Sequence, residues 1–592
     1  MMKLPKLARR FAFLVLLAVL ASCNSGAGGG GTLYYQTDWT NRGSGITGLS
    51  QRVNVFDSSE KLIKTAIVNQ DTGGLQQATI TEVGSGMRHV RVDLFSGRDL
   101  QGVQTGELDV WVDIGREASI LSGVGESPTQ VKVTPAAATF PVQHSRQFYA
   151  AGYSLPDKMV FTEIDGFTWE AFGGVATVTE DGAATGIAEG SGTIRATHTD
   201  TGLQGGAAIT ISPFQTEQSK WTVLVYLNGA NDLSQFSMLN VDQMETVAGN
   251  PANLRFIVQW KQAPDLGFPT WFDGTRRYLI KNNVADGQID SELIQDMGTG
   301  VDMGDPDTLN DFVQWARTYY PGDRFVIVIW NHGNGWLNRD RVPPPTRGVS
   351  YDDQTGNYIR THQLSQALGN DPFDIVAWDA SLMQMMEVAY EIKDNALYVV
   401  GSEESPPGEG YPYDTIFAKF RDTPDDTTKN LSKAFVDGML GVGGYVNRKI
   451  TQSSIETAQL DGLASALDNL AVELIANQAS IGADIAWVRD NTKSYSESQA
   501  MNRHFRDVVD LCLKIESRLA AFPSIVSAAA AVRAAAAAAV VWEGHNNNSL
   551  NSYGVSIDFS KASDFNLNNS TDYALLRFAT ATQWNEWLQI AP

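Results

Sequence analysis

The sequence predicts a multidomain protein: N-terminal all-β sandwiches, then an α/β/α layered domain on a mostly parallel sheet, closed by a helical C-terminal extension. Three observations lead there. Residues 32–213 alternate apolar and polar positions in short runs separated by glycine, asparagine and aspartate turns, with no helical period. From Trp221 onward, continuous apolar runs alternate with stretches of helical spacing, the rhythm of strand, crossover helix and parallel strand. Two of these runs, 324–330 and 373–379, stop abruptly at polar, reactive residues, and in parallel sheets function collects where strands end. A chain of 592 residues exceeds one ordinary core. Its formal charge of −23 excludes nucleic acid as a partner, since phosphates demand a basic face.

Residues 1–22 read as a secretory signal. Lys3, Lys6, Arg9 and Arg10 form a positive n-region, 11–20 a short apolar stretch, and Leu20-Ala-Ser-Cys23 a small-residue exit. That tetrad resembles a bacterial lipobox, which implies lipid attachment at Cys23 and contact with a membrane through that lipid. Asn24, in place of aspartate, implies an outer-membrane or cell-surface address within the bacterial envelope. Residues 23–31 are glycine-rich and read as a flexible tether. The other cysteine, Cys512, sits among helically spaced apolar neighbours and reads as a small buried hydrophobe.

Residues 32–127 form the first β-sandwich, with alternating strands over 52–56, 89–94 and 108–114 and no visible chemistry. Over 128–213 the order Val133-Thr-Pro-Ala, Phe148-Tyr-Ala-Ala, Phe167-Thr-Trp169 and Gly192-Thr-Ile-Arg-Ala196 is similar to the bacterial Ig-like module of group 2. The resemblance implies Trp169 as the core aromatic between sheets, and a spacer holding another domain away from a surface.

The α/β domain spans 219–592. Its first strand, 221–227, is stopped by Asn228-Gly-Ala-Asn-Asp232, helical spacing follows over 233–247, and the next strand covers 254–259. A helix over 308–319 leads into the strand at 325–330. From about Leu460 the chain turns helical, including the alanine-rich run 528–539; 556–559 reads as a late strand and 584–588 as an aromatic helix. Residues 430–592 are read as an extension packed on the same core.

The chemistry lies at two strand ends. His332, followed by Gly-Asn-Gly, suits a general base, because glycines admit a substrate backbone and imidazole titrates near neutrality. Ser381 follows Asp379 at the other strand end and opens an expected helix over 382–393, whose N-terminus would supply unpaired amides for an oxyanion. The two lie 49 residues apart, the gap between histidine and nucleophile quoted for caspase-type signatures.

Asn331-His-Gly-Asn-Gly-Trp336, Arg347-Gly-Val-Ser-Tyr-Asp-Asp353, Asp379-Ala-Ser-Leu-Met383, Glu387-Val-Ala-Tyr390, Pro407-Gly-Glu-Gly-Tyr-Pro-Tyr413, Gly554-Val-Ser-Ile-Asp-Phe559 and Thr582-Gln-Trp584 together resemble the clostripain family of cysteine peptidases, from about Trp221 to the end. The resemblance implies a caspase-like α/β/α fold, a His-Cys dyad, and cleavage after arginine or lysine. Carried over by position, His332 is the base, Asp379 lines the pocket for the basic side chain, and Glu409 is a second acid. Some members use Ca²⁺ or mature by cleavage between histidine and cysteine, where this chain carries Arg339, Arg341 and Arg347. No other cofactor and no metal ligand set is expected.

The departure is that the family's nucleophile falls on Ser381, with no cysteine nearby. A thiol ionises readily beside an imidazolium, whereas a hydroxyl needs concerted deprotonation by an aligned base. Three readings follow: a protein that binds Arg/Lys-containing peptides but cleaves them poorly or not at all, a peptidase using Ser381 with His332, and a peptidase whose serine was introduced to trap it. A non-enzymatic adhesin or scaffold is the rival class.

Overall fold

The computed structural model describes residues 31–40, 47–56, 62–70, 74–84, 86–114, 117–155, 158–163, 166–214, 216–263, 272–285, 287–338, 347–495, 504–567 and 570–592. The signal segment, Cys23, residues 23–30 of the tether, Arg339 and Arg341 lie outside them. The chain divides into two compact units, the first reaching Phe214 and including 294–298, the second made of the remainder.

The first unit is all β. A four-stranded antiparallel sheet runs Leu62–Asn69, Ser50–Phe56, Gly86–Phe95, Gln104–Ile114. A six-stranded sheet runs Leu75–Ile80, Thr32–Asp38, Glu117–Gly123, Lys158–Val160, Tyr149–Leu155, Gln130–Thr134. This second sheet crosses the boundary expected at 127/128: Glu117–Gly123 pairs in parallel with Lys158–Val160. Two apolar cores persist, one around Tyr35, Val53, Val92 and Val110, the other around Phe148, Ile194 and Ile209. Both cores lie within one compact unit, and the six-stranded sheet draws strands from both sides of that boundary. Trp169 packs half-buried at the margin of the second core, whose centre is filled by Phe148 and Ile194.

The second unit is built on a nine-stranded mixed sheet. Its strands are β1 (Ser219–Gly229), β2 (Leu254–Gln262), β3 (Thr275–Leu279), β4 (Glu292–Asp296), β5 (Gly322–Trp330), β6 (Phe373–Asp379), β7 (Ala396–Gly401), β8 (Thr451–Glu456) and β9 (Val540–His545). Their order is β4-β3-β2-β1-β5-β6-β7-β8-β9. The five central strands, β2 to β7 in that order, are mutually parallel, and β8 and β9 add antiparallel. Burial on both faces explains why 221–227 of β1 is apolar at every position except Thr222.

Helices cover both faces. Val223, Val225 and Val328 share a core with α1 (Ser234–Val247), α4 (Tyr413–Asp422) and α5 (Thr428–Gly441) through Val241, Phe417, Phe420 and Phe435. On the opposite face, Tyr226 meets Phe312 of α2 (Pro306–Tyr319) with ring centroids 6.0 Å apart. The start of α2 is set locally: Asp305 caps it by accepting from Asp307 N, and Pro306 occupies the first position. The C-terminal region contributes β8 and β9 to the same sheet, together with α6 (Leu460–Asn491), α7 (Val508–Arg518) and α8 (Pro523–Ala539). Ser556–Asp558 is a strand, paired with Phe505–Asp507 apart from the main sheet.

Cys512 is fully buried on α7, and burial pushes its thiol far above the usual range. In Cys23→Ser protein, 5,5′-dithiobis(2-nitrobenzoate) is expected to find no reactive thiol before unfolding, whereas Cys23→Ser/Ser381→Cys protein shows one fast thiol, because position 381 is only half-buried.

Candidate active site

Strand order places the site. From β1 the chain moves outward to β2, then returns to β5 on β1's other side and continues to β6 and β7. The carboxyl ends of β1 and β5 therefore flank a topological switch point, where parallel sheets open a crevice. Trp330 on β5 is level with Asp379 on β6. His332 and Ser381 each lie two residues beyond that pair, so adjacent strands deliver them at the same height. Gly333 allows the approach: a Cβ there would stand 2.4 Å from the Ser381 carbonyl oxygen.

His332, Ser381 and Asp379 line one cleft of about 270 Å³ with Leu233, Ser405 and Gly408. Asn331 ties the rim together. Its Nδ2 donates to Asn228 O at 2.5 Å and Tyr351 O at 3.0 Å, and its Oδ1 accepts from Tyr351 N at 3.0 Å. The Tyr351 ring stands edge-on to His332 at 6.3 Å.

Asp379 is buried at the end of β6. Both its oxygens accept from Tyr411 N, at 3.2 and 3.1 Å, and Oδ2 accepts from Tyr413 Oη at 3.0 Å. Burial pushes this carboxyl up to about 7, against the pull of those two donors. Gly410, at φ +68°, is required beside it, because a Cβ there would lie 2.8 Å from either carboxyl oxygen. Glu409, in the same motif, is half-buried and stands outside the cleft's lining; its carbonyl accepts from Asn240 Nδ2 at 3.0 Å.

The expected helix over 382–393 requires correction. The helix α3 covers only Met386–Glu391. Leu382 is buried with φ +64°, its N–H donates to Glu404 O, and Gln384 N–H donates to Ser402 O. The turn is pinned across to the segment after β7, so Ser381 does not sit on a helix N-terminus and the Leu382 amide is already engaged.

Asp232 was missed by the sequence reading. It lies beyond β1, and its Oδ1 is 2.6 Å from His332 Nε2. This bond from the imidazole is the main cause holding the Asp232 carboxyl below its ordinary value. Its position just past a strand end was the available signal. Among the described residues no three His, Cys, Asp or Glu side chains converge to hold a metal ion.

A histidine, a hydroxyl and a buried carboxyl meet at the carboxyl edge of the parallel strands of an α/β protein. The chain belongs to the clostripain family, whose model matches residues 225–590. Clostripain of Hathewaya histolytica is 25% identical over 369 residues, covering 53% of this chain and 69% of that protein. Among solved structures, an inactive zymogen C11 protease from Parabacteroides distasonis is similar at 18% identity, covering 62% of this chain and 99% of that one, with TM-score 0.49. A secreted C11 cysteine protease from Bacteroides thetaiotaomicron, in complex with an irreversible peptide inhibitor, is 19% identical, covering 60% and 99%, with TM-score 0.45.

Proposed function

We propose that this protein recognises peptides or proteins through an arginine or lysine side chain seated against Asp379, and that cysteine-type turnover is absent because the nucleophile position holds Ser381. The observation that carries the reading is the buried Asp379 carboxyl lining the same cleft as Ser381 and His332. A desolvated carboxylate gains most from a cation that replaces its lost hydration. The sequence at Cys23 supports display on the bacterial surface through a lipid, with the Ig-like β region as spacer.

Calorimetry with an arginine-containing peptide tests the reading. Binding is expected to weaken as pH falls through about 7, because only the ionised Asp379 pairs with a guanidinium. Asp379→Asn is expected to lower affinity about 100-fold at pH 8, and equal binding by wild type and variant sinks the proposal. Stability moves the other way. The folded carboxyl holds its proton more tightly than the unfolded one, so this group's cost appears as pH rises between about 4 and 7 and is fully present above that. Asp379→Asn removes this ionisation cost, so its stability relative to wild type should be more favourable at pH 8 than at pH 5 by up to about 3 kcal/mol.

A second reading, slow serine-type hydrolysis through Ser381 and His332, is favoured by the bond between His332 and Asp232.

A further inference from the structure

We propose that Asp232 is the positioning residue of His332, completing a Ser381, His332, Asp232 arrangement across the switch point of the sheet. The proposal rests on the peptide-binding reading of the cleft for its substrate, but its geometry stands independently. A carboxylate 2.6 Å from Nε2 makes that nitrogen the donor, so the neutral ring carries its proton on Nε2. Nδ1 is then the basic nitrogen, on a residue that lines the cleft with Ser381. A cysteine manages with less help, because its thiol ionises easily; a serine needs an aligned, unprotonated nitrogen and a counter-charge for the imidazolium that forms.

The loop carrying Asp232 is built to stay in place. Ala230 N–H donates to Asn228 Oδ1, Leu233 N–H donates to Asn231 Oδ1, and Asn231 Nδ2 donates to Tyr351 O at 3.0 Å. The charged and titratable groups around the imidazole are Asp232 after β1, Tyr351 and Asp353 at the end of the strand Arg347–Asp352, and Asp379 within the cleft. Of these, Asp232 is hydrogen-bonded to the ring.

The step balances without a cofactor. Ser381 Oγ bonds to the scissile carbonyl carbon while its proton passes to His332 Nδ1. The carbon–nitrogen bond breaks, and Nδ1 returns the proton to the leaving amine. Water then attacks the ester carbon and passes a proton to Nδ1; the carbon–Oγ bond breaks, Nδ1 returns the proton to Ser381 Oγ, and the acid product leaves. Asp232 stays ionised throughout.

The test uses the full chain with Asp232→Asn, Asp232→Ala and Asp232→Glu, each with Ser381 and with Ser381→Cys. First, ¹⁵N spectra of histidine-labelled protein, with His332 assigned by its loss in His332→Gln, are expected to show the Nε2–H tautomer in wild type and a tautomer mixture in Asp232→Ala. Second, a diphenyl phosphonate carrying a basic side chain is expected to label wild-type Ser381 slowly, and Asp232→Asn is expected to reduce that labelling about 10- to 100-fold. The reduction is smaller than for a buried carboxylate, because the His332 and Asp232 side chains are 42% and 80% exposed. Third, in Ser381→Cys the same change is expected to lower kcat less steeply and leave KM within about twofold, with Asp232→Glu recovering part of it. An unchanged tautomer together with unchanged kcat or labelling overturns the proposal. If Ser381→Cys is silent, the spectra alone decide. Loss of arginine-peptide binding with an intact Nε2–H signature would instead refute the proposed function and leave the Asp232 assignment standing.

Discussion

Replacing Ser381 by cysteine is expected to raise hydrolysis after arginine or lysine by about three orders of magnitude or more over wild type, measured with fluorogenic basic peptides. His332 and the buried Asp379 already line one cleft with this position. On the proposed function, the cysteine supplies a nucleophile that ionises near neutral pH, since a thiol titrates near 8.5 and falls further beside an imidazolium. The gain should require His332 and Asp379 in different ways: His332→Ala removes kcat, whereas Asp379→Asn mainly raises KM for basic substrates. A Ser381→Cys protein that binds arginine peptide yet does not turn it over would show that the turn at Leu382 misplaces the nucleophile.

The second large effect is structural. Lys261 and Asp352 form an ion pair at 2.6 Å with both side chains fully buried. Lys261 Nζ also donates to Val301 O at 2.8 Å, and Asp352 accepts from the Met303 and Gln354 amides. Breaking one partner strands a charge in the interior, so Lys261→Met alone or Asp352→Leu alone is expected to cost about 3–5 kcal/mol. Thermal unfolding of the variants should shift down by about 10 °C. The double replacement should recover most of the loss, because an apolar pair leaves no unpaired charge. The effect should reach the site, since Asp352 fixes the strand whose Tyr351 binds Asn331 and Asn231. In the Ser381→Cys background, each single variant should therefore lose activity along with stability. Additive loss in the double variant would overturn the pairing argument.

The strands that carry the site were legible because their signal is local. Residues 325–330 and 375–378 are apolar at consecutive positions, as burial on both faces of a sheet demands, and each run is followed by residues a core rejects. The helix expected over 382–393 failed for an equally concrete reason. Leu382 to Met386 has helical apolar spacing, but Leu382 adopts φ +64° and its amide is bonded to Glu404 O. Tertiary hydrogen bonds overrode the periodicity until Met386. The shared sheet of the β unit was hidden in the same way. It depends on a parallel pairing at Lys158–Val160, where Lys158 is buried against Asp38 and Glu126, residues that nothing in the local pattern links.

The sequence by itself determined the order of strands and helices, the buried character of the central strands, and the identity of the residues at their ends, His332 and Ser381 among them. Those properties follow from composition and period over a few residues. Tertiary structure alone decided that β1 lies beside β5, and hence that Asp232 meets His332 from 100 positions away. It also decided that Asp379 is buried between Tyr411 and Tyr413, with its carboxyl pushed up to about 7. Strand order and burial are set by how the whole sheet closes around its core, and a side chain's partner and charge state follow from that closure.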